Sequence, residues 1–197
     1  FNNGHPVDKV ELIVLGGTWS SYPEEYQIWF LLRCFQALND FDPADAEPQG
    51  VRRSFEIDYR DLLEQVPRAN GKGRYNHLVS AFQEERGAPA EAASWAELEH
   101  VHLENESAGA RCVGLVLETR PDHLSLAEAV RMRRLGTTKV QIGYQSLSDD
   151  VLALNRRGHD VASTRAAMSV LREVGFKIHA HWMPNLYGSS PQADLEE

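Results

Sequence analysis

RCVGLVLETRPDHLSLAEAVRMRRLGTTKVQIGYQS, residues 111–146, holds two β-forming runs on either side of a segment with helical spacing. The first run, 111–118, is rich in valine and leucine. The second, 139–146, alternates Val140, Ile142 and Tyr144 with Gln141, Gly143 and Gln145. Between them Ser125 reads as an N-cap and Gly136 as the closing residue, with Arg131, Arg133 and Arg134 in the last turns, where the helix dipole favours cations. Strand, helix and strand at this spacing predict a parallel pair joined by a helical crossover.

The same plan extends in both directions. VELIVLG (10–16) precedes PEEYQIWFLLRCFQALNDF (23–41), a helix that opens with a proline and two acids. VASTRAAMSVLREVG (161–175) precedes FKIHAHWM (176–183). Parallel strands over 10–16, 112–118, 139–145 and 177–183 therefore predict an α/β fold, either an open layer or a barrel. Residues 42–107 interrupt the rhythm. FEIDYRDLLEQV, YNHLVSAFQEER and ASWAELEHVHLENE read as helices around the basic linker PRANGKGRYN, so 42–107 is expected to be a helical insertion. In that linker Arg68, Lys72 and Arg74 are candidate phosphate contacts on RNA; the plainer alternative is a solvated loop.

A chain of 197 residues suits one domain, and no apolar run approaches the ~20 residues that cross a bilayer. Cys34 and Cys112 are too far apart to form a metal knuckle and read as reduced thiols of a cytoplasmic protein. The net charge of −9 argues against general affinity for nucleic acid, but it is uneven: residues 1–107 sum to −10 and 108–183 to +4. The ends look cut. Phe1 is not an initiator, and SSPQADLEE reads as the capped start of a helix, so a piece of something longer is expected.

Apolar LVLETRPD (115–122) ends in an acid, a hydroxyl and a base, which is costly unless they are paired or used. Alternation places Gly114, Val116, Glu118 and Arg120 on one face and Val113, Leu115 and Leu117 on the other. On the last strand His179, His181 and Met183 oppose Ile178, Ala180 and Trp182. Polar groups thus gather at the C-terminal strand ends, where α/β proteins bind ligands. Gly16-Gly17-Thr18 ends the first strand and lets a ligand approach the backbone. Arg156, Arg157, Gly158 and His159 form a polar loop suited to a carboxylate or phosphate. Three classes fit these facts. One is a metal-dependent hydrolase using His179 and His181, with Glu118 or His159 as a third ligand. The second is a barrel that binds a nucleoside-bearing cofactor, and the third an RNA-binding scaffold.

The order of GGT, ETRPD, IGYQSL, NRRGH and HAHWMPNL resembles the radical S-adenosylmethionine superfamily, and within it the family of the Elongator catalytic subunit. Porphyrin-oxidizing members share shorter pieces of this pattern. The resemblance implies a partial TIM-like (β/α) barrel of the radical S-adenosylmethionine type. It further implies modification of the tRNA wobble uridine at C5 with an acetyl-CoA-derived group, S-adenosylmethionine and a [4Fe–4S] cluster as cofactors, tRNA and other Elongator-type subunits as partners, and no membrane. On matching positions, Gly16, Gly17 and Thr18 would line the methionine end of S-adenosylmethionine. Glu118 and Arg120 would sit at its ribose and carboxylate, beside Gln145. Arg157 and His159 would close the mouth, and His179, His181 and Met183 would form the far wall. The cysteine loop and the acetyltransferase-like domain of that family have no counterpart here, so the segment alone is expected to be inactive, with no metal ligands of its own.

Overall fold

The structure is a computed structural model that describes residues 5–16, 18–41 and 91–196. Its centre is a four-stranded sheet of β1 (Lys9–Val14), β2 (Arg111–Thr119), β3 (Lys139–Gln145) and β4 (Lys177–Trp182). The strands lie in the order β1-β2-β3-β4 and every pairing is parallel. Sequential order without a reversal is how strands follow one another in a (β/α) barrel, whereas a doubly wound sheet has a switch point. Of the two architectures left open by the pattern, the chain is a partial (β/α) barrel. Among the described residues no helix is long and apolar enough to cross a membrane.

Among the described residues two long helices precede β2: α1 (Glu24–Asn39) and α2 (Trp95–Asn105). After it come α3 (Leu126–Arg134), α4 (Asp149–Leu154), α5 (Val161–Glu173) and α6 (Pro191–Glu196). Ile28, Leu31, Leu32 and Phe35 of α1 recur at helical spacing and bury one stripe, which packs with Leu115 and Leu117 of β2 and Val140 and Ile142 of β3. Ser94 caps α2 through a reciprocal box with Glu97. Leu98 and Val101 then carry α2 into the same core as α1. Of the expected insertion, residues 42–90 lie outside the described residues; the rest is this helix, a layer of the domain rather than an appendage.

Alternation misplaced one strand residue. Val10 pairs with Cys112 but Glu11 pairs with Gly114, so Val113 is the extra residue of a bulge and stands 57% exposed, not packed with Leu115 and Leu117. The bulge lets Cys112 share the core face with Leu115. Beyond it Gly114 makes room for Glu11, whose Cγ would lie 3.1 Å from a Cβ at that position. Glu11 crosses the glycine to pair with Lys139 Nζ at 2.7 Å.

His102 of α2 sits edge-on to Phe35, ring centroids 4.3 Å apart, under the Gly136 turn. Burial pushes its pKa below 6.5, outweighing the attraction of Glu99. The folded chain therefore binds a proton here less readily than the unfolded one. Stability from this residue is full above the ordinary histidine range, falls as pH drops through about 6.5, and levels off below the depressed pKa. In His102→Phe, denaturant melts should show a smaller loss of stability between about pH 7 and pH 5 than in the parent protein. An unchanged slope would exclude His102 as its source.

Candidate functional site at the strand ends

The helices cover one face of the sheet. The other carries Glu118, Gln141 and His179 as partners across β2, β3 and β4, followed by Gly143 beside His181. At the C-terminal edge, β1 leaves the sheet through Leu15 and Gly16, whose φ of +96° favours glycine. Gly16 N–H points to Glu118 Oε2 at 3.4 Å, and Glu118 Oε1 faces His181 Nδ1 at 3.7 Å. His181 meets His179 at right angles, with ring centroids 4.9 Å apart. Both contacts of Glu118 are long, so its carboxylate keeps acceptor capacity for a ligand.

A second bulge shapes Gln145. The register with β4 slips between Gly143 and Gln145, and Gln145 takes a left-handed φ of +69°. Its amide folds back over Gly143, where a Cβ would come within 2.5 Å of Nε2. Gly143 thus lets Gln145 lie along the open face beside His181. Met183 joins by its backbone, donating to the Gln145 carbonyl at 2.9 Å, and its side chain is half exposed.

The loop after β1 is held from beneath. Thr18 accepts at its carbonyl from Ser21 N and Oγ, closing the turn Trp19–Ser21. Gly17 lies outside the described residues. Gln27, fully buried on α1, donates to the carbonyls of Trp19 at 2.8 Å and Tyr22 at 3.0 Å and accepts from Arg131 Nη1 at 2.7 Å. Ser20 meets Thr119 at the end of β2. Trp19, Tyr22, Tyr26 and Phe30 then enclose, with Gly16 and Glu118, a pocket of ≈ 180 Å³. Neither Gln27 nor these aromatic walls figure in the sequence-based site. WSSYPEEYQIWF, dense in rings just after the glycine turn, was the available signal.

Arg120, Arg157 and His159 form a second cluster at the same strand ends, beyond β2 and β3. The Arg120 guanidinium forks onto Asp122 and also reaches the Arg157 carbonyl. His159 Nε2 lies 2.9 Å from the Tyr144 carbonyl, which can only accept, so Nε2 carries the proton. Arg68, Lys72 and Arg74 lie outside the described residues. The three arginines of α3 are occupied internally. Arg131 pairs with Glu128, Arg133 donates to the Thr137 and Gly175 carbonyls, and Arg134 pairs with Glu99.

Cys34 lies within α1 and Cys112 at the start of β2, and burial raises both thiols above their usual pKa. Among the described residues no group of three or more His, Cys, Asp or Glu is placed to hold a metal ion.

The glycine turn and the polar row stand at the C-terminal strand ends of a partial parallel barrel, the end at which barrels of this architecture place their ligand sites. No family model matches the chain. Individual relatives match it almost from end to end. It is 38% identical over 192 residues to a tRNA uridine(34) acetyltransferase of Dehalococcoides mccartyi, covering 98% of this chain and 30% of that protein. The acetyltransferase of the same name from Methanocaldococcus infernus is 33% identical, with 97% of this chain and 26% of that protein covered. Elongator complex protein 3 of Saccharomyces cerevisiae is 26% identical over 98% of this chain and 26% of its own length. The solved structure of the archaeal Methanocaldococcus infernus Elp3 with an N-terminal deletion superposes with a TM-score of 0.67 at 32% identity, covering 98% of this chain and 33% of that one. Over its described length the chain is similar to these proteins, and it spans about a third or less of the length of the relatives it matches.

Proposed function

We propose that this chain is the S-adenosylmethionine-binding core of a radical enzyme that modifies the wobble uridine of tRNA at C5 with an acetyl-CoA-derived group. The observation that carries the reading is the row Gly16, Glu118 and His181 with Gln145 on the face of the sheet opposite the described helices. The residues present fit a zwitterionic, nucleoside-bearing group. Glu118 offers an acceptor-only carboxylate with weak internal contacts, Gly16 an exposed backbone, and Gln145 an amide that both donates and accepts. His159 donates from Nε2, and its Nδ1 has no partner among the described residues.

S-adenosylmethionine and a [4Fe–4S] cluster together supply the one-electron chemistry when bound. Neither cysteine of this chain is placed to serve that cluster, so this segment's own part is to bind and orient. Glu118 accepts from ammonium or hydroxyl groups, Gln145 fixes the ligand laterally, and His179, His181 and Met183 wall the far side. Acetyl-CoA is handled on a separate acetyltransferase-like domain. In this reading the protein is cytoplasmic, its partners are tRNA and Elongator-type subunits, and Arg68, Lys72 and Arg74 contact phosphates. Such contacts position the RNA without specifying its sequence.

Nucleoside mass spectrometry of tRNA from cells lacking the protein provides the test. The C5-modified wobble uridine should vanish and return on complementation with the intact gene. Unchanged levels of the modified nucleoside would overturn the proposal.

A further inference from the structure

The loop between α4 and α5 is fastened at three places, once to α4 itself and twice to the strand ends. The backbone amides of Asn155 and Arg157 close the end of α4 on the carbonyls of Val151 and Leu152. His159 donates to the Tyr144 carbonyl on β3 at 2.9 Å. The third fastening is a side chain from another strand. Arg120, at the end of β2, donates through Nε to Asp122 Oδ1 at 2.9 Å and through Nη2 to Asp122 Oδ2 at 2.8 Å. The same Nη2 donates to the Arg157 carbonyl at 2.7 Å. Gly158 is fitted to this contact. Its φ is +78°, and a Cβ there would stand 2.8 Å from Nη2.

We propose that Arg120 is a positioning residue: with Asp122 as its anchor and Gly158 as its clearance, it holds the 155–159 loop so that Arg157 and His159 stand at the ligand site. The proposal deepens, and rests on, the reading of that site as one for S-adenosylmethionine. A guanidinium that already holds a carboxylate and a carbonyl is committed to the protein, so its influence on a ligand passes through the loop. Arg157 Nε and His159 Nδ1, both buried and without a partner among the described residues, are the polar atoms the loop brings to bear. A fork of this geometry needs arginine, since lysine supplies a point charge only.

The test uses the intact protein with Arg120→Ala, Arg120→Lys, Gly158→Ala and the Arg120→Ala/Gly158→Ala double variant. Amide hydrogen exchange over 155–159 is read without ligand, and S-adenosylmethionine affinity by calorimetry. Arg120→Ala should speed loop exchange and weaken binding, each about tenfold, for the loss of a charged fastening. Arg120→Lys should restore part of both. Gly158→Ala should mimic Arg120→Ala alone but add less on top of it, because the guanidinium it collides with is gone and only the left-handed backbone still disfavours alanine. Unchanged exchange in Arg120→Ala would overturn the fastening. Faster exchange with unchanged affinity would overturn its role at the site. Failure of the parent protein to bind S-adenosylmethionine would instead sink the functional reading, with the exchange arm still deciding whether Arg120 holds the loop.

Discussion

Replacing Gln27 by leucine should destabilise the protein by about 2–4 kcal/mol, although leucine is apolar, of similar size and at home in a helix. Gln27 is fully buried, and three groups depend on it: the carbonyls of Trp19 and Tyr22 and the Arg131 guanidinium. Leucine offers none of them a partner. Arg131 keeps Glu128 and the Trp19 carbonyl keeps the Tyr22 amide, but both carbonyls lose the Gln27 donor beneath the turn, and a buried polar group left short of a partner costs about 1–3 kcal/mol. The loss should read as a melting temperature lower by roughly 5–15 °C, given the scaling for chains of this size. It should be accompanied by faster exchange across residues 18–22, because Gln27 is what ties that turn to α1. A shift under about 0.5 kcal/mol would mean that the turn is held by Ser20 and Thr119 instead.

Gln27 also marks where sequence reasoning stopped. The four strands and the helices between them were legible because alternation and helical spacing survive in the residue pattern. Glu118, Gln145 and His181 were legible because a polar side chain at the end of an apolar strand is costly without a use. Gln27 looked like one polar position in an apolar helix, since its partners are backbone carbonyls on another segment, which leave no mark in composition. Asn105 was hidden in the same way. It is buried among Asn39 Oδ1, the Ala110 carbonyl and the Cys112 amide, joining the ends of α1 and α2 to the start of β2. The bulges at Val113 and before Gln145 were invisible too. An inserted valine or tyrosine is as β-forming as its neighbours, and only the hydrogen-bond register shows that it is extra. The cluster in LVLETRPD, by contrast, has two answers. Glu118 faces the open side of the sheet, whereas Arg120 is committed to Asp122 and the Arg157 carbonyl.

Glu118 is the side chain on which the account most depends. It stands between the Gly16 amide and His181 at contacts of 3.4 and 3.7 Å, too long to be the reason for a carboxylate at that place. Its removal should therefore cost little stability and much affinity. A hydrogen bond to a charged group contributes about 1.5–3 kcal/mol, which predicts binding of S-adenosylmethionine weaker by roughly 10- to 150-fold in Glu118→Ala. Gln145 brings no charge of its own, so Gln145→Ala should weaken binding less, by roughly 2- to 10-fold. The measurement is a calorimetric titration of the intact protein with S-adenosylmethionine, alongside both variants and their melting curves. The account predicts saturable binding by the parent protein, losses ranked Glu118 above Gln145, and melting temperatures close to the parent's. Equal affinity in all three proteins would contradict it.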